Sequence, residues 1–304
     1  MAGIPFGKLS MKRFVFLPLF SFLISGCDDV SGSRGMADIA TNRPIEINMH
    51  EDIEGLVARS PVIFSEGCMS AVNMCWYKVE RSFGDSKLPT VIIDKSLTLD
   101  HVARISIAVD SDVGRSVEDL DLSIRSLPDN SLHDDYRLFL FELIDKITAA
   151  GWQHYYSPSD PRVSGSQMDK IDTPDYVLGD YVLSHPWLDP SYRLDLRRWL
   201  RIGRFHTWTF FKDGNYLKVQ AWSRDSDDAP EERGTYLVSL NFKTQSEYWR
   251  TTFDTDKENA RWTELMPERL EKYRIIREAR EQKAIEAGIE IDTSYHDPVI
   301  QALK

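Results

Sequence analysis

The sequence predicts an α+β fold of largely antiparallel sheets packed by amphipathic helices, in two lobes that follow a signal peptide and a flexible tether. Three stretches carry this expectation. Ala103–Val109 alternates Ile105, Ile107 and Val109 with Arg104, Ser106 and Ala108, the period of a half-buried strand. HTWTFFKDGNYLKVQAW, from His206 to Trp222, holds two alternating runs around Asp213-Gly214, a two-residue hairpin turn. Leu132, Tyr136, Phe139, Leu140, Leu143, Ile144, Ile147 and Ala150 recur at the spacing of one helix face.

In chain order, the first element is an address. Met11 to Asp29, MKRFVFLPLFSFLISGCDD, has basic Lys12 and Arg13, an uncharged and mostly apolar run from Phe14 to Ile24, and Ile24-Ser25-Gly26-Cys27. That is the layout of a secretory signal, with Met11 giving the better basic region. The run is about 11 residues, and a spanning helix needs roughly 20. The small residues lead into a cysteine, and the stretch resembles the lipobox of bacterial lipoproteins. The resemblance implies that residues 1–26 are removed and that Cys27 carries a diacylglyceryl anchor in a bilayer, facing the periplasm. Asp28-Asp29 resembles the signal that retains enterobacterial lipoproteins at the inner membrane. The alternative is an ordinary cleaved signal that leaves Cys27 a free thiol. Residues 27–45 are polar, Gly/Ser-containing and without apolar period, and read as the tether.

The first lobe spans 46–165. Val91–Ile93 and Ala103–Val109 read as strands, with Leu120–Leu127 a partner strand. The helix follows, with Ser131 as its expected cap and Gly151 just past its end. Trp152–Tyr156 resumes as strand. Ser157–Asp175, rich in Ser, Pro, Asp and Gly, is the expected boundary between lobes.

The second lobe spans 166–304. Asp189-Pro190 and Gly203 bracket an expected helix with Arg193, Arg197, Arg201 and Arg204 along one side. The hairpin pairs Phe210 with Leu217, Trp208 with Val219 and His206 with Ala221 on one face. The other face pairs Phe211 with Tyr216, Thr209 with Lys218, Thr207 with Gln220 and Phe205 with Trp222. Gly234–Thr244 is a third strand with Tyr236, Val238, Leu240 and Phe242 on one side. Thr255 with Glu258 forms a capping box, Pro267 kinks or restarts the last helix, and that charged helix ends near Gly288.

Charge and cysteines narrow the function. Removing Lys8, Lys12 and Arg13 with the signal leaves 34 Lys and Arg against 48 Asp and Glu over about 278 residues, a net charge of −14. That balance argues against nucleic acid and suits a basic partner. Cys68 and Cys75, with six residues between them, predict one local disulfide in an oxidising compartment, the alternative being two buried thiols. No metal-ligand cluster and no motif calling for a cofactor is present, and there is no G-x-S-x-G, H-E-x-x-H, P-loop or G-x-G-x-x-G.

Five groups of residues remain. His133-Asp134-Asp135 could serve as an acid–base pair but falls in a first helical turn, where carboxylates favour the dipole. Asp110-Ser111-Asp112-Val113-Gly114 begins like a calcium loop, then lacks the later ligands and reads as a turn. DSDDAPEER reads as a solvated acidic loop. The four arginines suit either phospholipid headgroups or the protein's own acids. Phe205, Phe211, Tyr216 and Trp222, on the second hairpin face, are the candidate partner-binding residues unless the C-terminal helices cover them.

Three stretches together resemble the lipoprotein immunity proteins encoded beside type VI secretion antibacterial effectors, particularly the phospholipase ones. They are the lipobox, LFELIDKITAAGWQHYYSPSDPRVSG and FHTWTFFKDGNYLKVQAWSRD. The likeness covers about half the chain and includes no diagnostic binding motif, so it transfers no residue role. It implies a membrane-anchored periplasmic protein, not an enzyme, that binds and blocks a cognate lipase effector. The alternative is a structural or assembly lipoprotein of the cell envelope.

Overall fold

The computed structural model describes residues 43–304. The signal, Cys27, Asp28, Asp29 and most of the expected tether lie outside the described residues. β1 (Ile45–Ile47) and α1 (Ile53–Arg59) are followed by a hairpin of β2 (Ser65–Met69) and β3 (Met74–Glu80). β4 (Val91–Ile93), β5 (Leu97–Leu99), β6 (Val102–Asp110) and β7 (Asp119–Ile124) complete the first run of strands. Ile45, expected in the tether, opens β1 and is 1% exposed. The cause is local: Ile45 and Ile47 flank Glu46 in alternation, and β1 pairs in parallel with β4 to make a small sheet completed by β5.

β8 (Ser131–Leu132) leads into α2 (His133–Ala149), β9 (Gln153–His154), the small pair β10 (Tyr176–Val177) and β11 (Asp180–Tyr181), and α3 (Leu196–Trp199). β12 (Phe205–Lys212), β13 (Asn215–Asp225), β14 (Arg233–Thr244), α4 (Gln245–Arg250), α5 (Asp256–Asn259) and α6 (Trp262–Glu286) follow. Nine strands form one sheet in the order β2-β3-β6-β7-β14-β13-β12-β9, with β8 also paired to β14. The fold is α+β, as the sequence predicts.

The halves 46–165 and 166–304 do not stand apart. β7 pairs antiparallel with β14, setting Leu120 opposite Phe242, Leu122 opposite Leu240 and Ile124 opposite Val238. Matched apolar positions join the halves and cover two edges that separate lobes would expose. The described residues, 43–304, belong to one compact unit.

α2 lies against this sheet and β5, burying Tyr136, Leu140, Leu143, Ile144 and Ile147. Each such side chain contributes about 1.5–3 kcal/mol relative to exposure. Ser131 does not cap α2. Pairing with Gly234 holds it in β8, and its hydroxyl donates to the Pro128 carbonyl at 2.7 Å. Gly151, with φ of 92°, takes the left-handed conformation expected after the helix.

The expected helix from Asp189 shrinks to the single turn of α3. The Asp189 carboxylate is engaged elsewhere, accepting from the Gly165 N–H at 2.7 Å and the Ser191 N–H at 2.8 Å. Asp195 caps α3 instead. Pro267 sits inside α6, which runs through it. On α5 half of the expected capping box forms: Thr255 Oγ1 accepts from the Glu258 N–H at 3.3 Å, while the Glu258 carboxylate accepts from the Thr255 hydroxyl at 2.9 Å and not from the Thr255 N–H.

Residues 157–162, expected to divide lobes, are clamped to α6. Arg162 binds Glu281 through two hydrogen bonds of 2.7 and 2.8 Å. Arg277 donates to the Asp160 and Ser157 carbonyls, and Arg280 pairs with Asp160 at 3.0 Å. A polar segment is thus ordered by charge-assisted bonds, which composition alone reads as loop.

Candidate functional site

Asp213 and Gly214, with φ of 47° and 81°, form the two-residue turn, and β12 and β13 pair in the expected register. Alternation buries Trp208, Phe210, Leu217, Val219 and Ala221 in the main core and turns the other set outward.

Across β12, β13 and β14 the outer face is ordered in rows. Phe205, Trp222 and Leu237 stand side by side at the end far from the turn. They are 55%, 38% and 43% exposed. The next row is Thr207, Gln220 and Ser239, and the third is Thr209, Lys218 and Asn241. The last row is Phe211, Tyr216 and Lys243.

The four nominated aromatics therefore divide. Tyr216 is 2% exposed: Tyr248 of α4 stacks on it with centroids 3.8 Å apart, and Trp249 Nε1 donates to its hydroxyl at 3.1 Å. Burial pushes the Tyr216 phenol up to about 12. Phe211 packs half-buried against the same cluster, which includes Tyr155, Phe253, Trp262 and Met266. Tyr216 and Phe211 belong to a second core made with the C-terminal helices. Phe205 and Trp222 remain at the surface. Leu237 completes their row, a position legible from the outward phase of β14 once Tyr236 and Val238 are placed inward.

A cleft of about 710 Å³ opens over the middle rows, walled by Tyr181, Leu183 and His185 and by Tyr248 and Thr251. Lys243 is committed to Asp119 at 3.2 Å and Glu247 at 3.6 Å. Lys218 and Arg204 also line the cleft, and neither side chain forms an ion pair or hydrogen bond among the described residues. Two unpaired cations beside an apolar row stand out in so acidic a chain. The arrangement can hold an apolar or aromatic anchor together with an anionic group.

The remaining candidates have internal partners. His133 Nε2 donates to the Pro230 carbonyl at 3.0 Å, so Nδ1 accepts from the Tyr236 hydroxyl at 2.9 Å, and Trp199 Nε1 donates to that hydroxyl at 3.0 Å. Asp134 binds Arg137, while Asp135 is exposed. His133 thus serves a closed buried network. Asp110 pairs with Arg250 at 3.1 Å, and Asp112 accepts from Asn73, which makes their loop a braced turn. Arg193 pairs with Asp145 and lies 4.7 Å over Phe141, and Arg201 lies 5.0 Å over Trp187 and donates to the Asp172 carbonyl. Arg197 and Arg204 are exposed. No single basic helix face forms, because α3 is only one turn long.

Cys68 and Cys75 sit directly opposite on β2 and β3 and are joined by a disulfide, with S–S 2.07 Å. With Glu66 they make the one close-set group of possible metal-ligand atoms among the described residues. In the disulfide neither sulfur is a thiolate, the form that ligates metal. No helix among the described residues is long and apolar enough to cross a membrane. No family model, no curated protein and no solved structure matches the chain.

Proposed function

We propose that this protein is a periplasmic lipoprotein, anchored through Cys27, that binds and inhibits a cognate lipase effector of type VI secretion. The observation that carries the binding reading is the uncovered row Phe205, Trp222 and Leu237 beside the cleft with Lys218 and Arg204. An inhibitor needs a stable surface with anchors and complementary charge, and large aromatics supply most of the energy in such contacts. The lipobox supports the location: a lipid anchor, held at the inner membrane by Asp28-Asp29, concentrates the protein where a phospholipase attacks.

The test is co-purification of the lipidated protein with the product of the adjacent effector gene, with protection of cells as the second readout. Phe205→Ala with Trp222→Ala weakens that complex by about thirtyfold or more, as expected for central aromatic anchors, and shifts Tm little because both rings are exposed. Absence of a complex together with absence of protection overturns the inhibitor reading. Unchanged affinity in the double variant overturns the surface alone.

A further inference from the structure

A second cleft, of about 420 Å³, is formed by β9 and the segments around Ser164, Asp189 and Asp292. Its walls carry three carboxylates, Asp189, Glu290 and Asp292, and no lysine or arginine. Three tyrosines, Tyr156, Tyr192 and Tyr295, supply the aromatic surface.

Tyr156 is only 3% exposed, yet its hydroxyl has no hydrogen-bond partner among the described residues. The hydroxyl is not sealed off with the ring but opens on the cleft, where a ligand can take up its hydrogen bond. Its ring lies 4.3 Å from His154, centroid to centroid. The charges of Asp189 and Asp292 act on both Tyr156 and His154, so the carboxylates, phenol and imidazole converge. Burial, then those two carboxylates, pushes the Tyr156 phenol up, and burial holds His154 below its ordinary value. Both rings are neutral near pH 7. The Ser294 hydroxyl holds Asp292 below the ordinary carboxylate range, which keeps it anionic. Arg162, whose charge reaches Tyr156, is already paired with Glu281.

The cleft is therefore acidic, aromatic-walled and equipped with neutral hydrogen-bonding groups. Its carboxylates do not crowd closely enough to form a bare metal site, since the close-set group of that kind lies at Glu66. We propose that the cleft binds a small organic molecule bearing a primary ammonium group. The ammonium N–H groups donate to the Asp292 carboxylate and the Tyr156 hydroxyl, and the tyrosine rings shield the charge. This site is separate from the outer sheet face and does not rest on the inhibitor reading. The ammonium can come from a free diamine or from an ethanolamine lipid headgroup.

The test is calorimetric titration of the full chain in detergent with cadaverine, with 1,5-pentanediol as the neutral isostere. Saturable one-to-one binding of cadaverine alone is expected. Asp292→Asn, which keeps the acceptor used by Ser294, and Tyr156→Phe, which removes only the hydroxyl, each weaken binding by about tenfold. No saturation up to about 10 mM cadaverine, equal binding of the diol, or unchanged affinity in both variants overturns the proposal. Competition by short-chain phosphatidylethanolamine but not phosphatidylcholine assigns the ammonium to a lipid headgroup. Cadaverine binding without that competition assigns it to a free amine.

Discussion

Tyr236 holds more of the interior together than its position on a strand suggests. Its hydroxyl accepts from Trp199 and donates to His133, while its ring stacks on Tyr136 with centroids 4.4 Å apart. Tyr236→Phe keeps the ring and strands two buried polar partners, at a cost of about 2–4 kcal/mol. The urea midpoint should fall with the m-value unchanged. A midpoint within error of wild type would mean that water or rearrangement satisfies both groups.

Two histidines make folding sensitive to acid. Burial holds His185 and His206 at about 4, against an ordinary 6.5. The unfolded chain therefore takes up these protons first as pH falls. Stability from the neutral rings is fully present above about 6.5, is lost progressively as pH drops toward 4, and levels off below. Each ring contributes roughly 3 kcal/mol to that loss. In His206→Gln the fall in denaturation midpoint between pH 6.5 and 4 should be visibly smaller than in wild type, and equal slopes would contradict the assignment.

Among the elements, the β2–β3 hairpin depends most on a covalent tie. β2 is an exposed edge strand whose five residues all face solvent. Cross-strand pairing alone gives such an edge little protection. Replacing both Cys68 and Cys75 by Ser should cost about 2–3 kcal/mol, from the entropy of closing a short loop. Amide exchange should quicken across residues 65–80 first and leave β12–β14 unchanged. α6 shows the opposite economy. Burial alone would push the Glu281 carboxyl up, but hydrogen bonds and charge from Arg162 outweigh it and hold it below its ordinary value. The helix is thus fastened by paired charges, which explains how a segment with so few apolar positions stays docked.

For the whole molecule, the described residues from 43 onward form a body whose core begins at Ile45, and the anchor proposed at Cys27 precedes that body in the chain. Cys27→Ser should abolish lipidation and release the protein from the membrane fraction without changing Tm. A variant that stays membrane-bound, or melts earlier, would contradict the anchor. Recovery of the wild-type protein in the outer membrane would refute the role given to Asp28-Asp29.

What the sequence determined by itself is what neighbouring residues settle: the Asp213-Gly214 turn, the register of β12 and β13, the inward phase of β14, the apolar stripe of α2 and the Cys68–Cys75 pair. Each follows from a period or a turn within about twenty residues. Tertiary structure decided everything that depends on partners distant in the chain. Phe211, Tyr216, Phe205 and Trp222 are equivalent by alternation, yet the second core built with the C-terminal helices takes in the first two and leaves the others to solvent. Asp189 has the form of a helix start, but Gly165 claims its carboxylate. The strands β7 and β14, more than a hundred residues apart, fuse the expected lobes because their apolar positions match. The Tyr156 cleft likewise draws its walls from four separated segments. Local pattern tells a residue which way to face, and only the packed chain tells it what it will meet there.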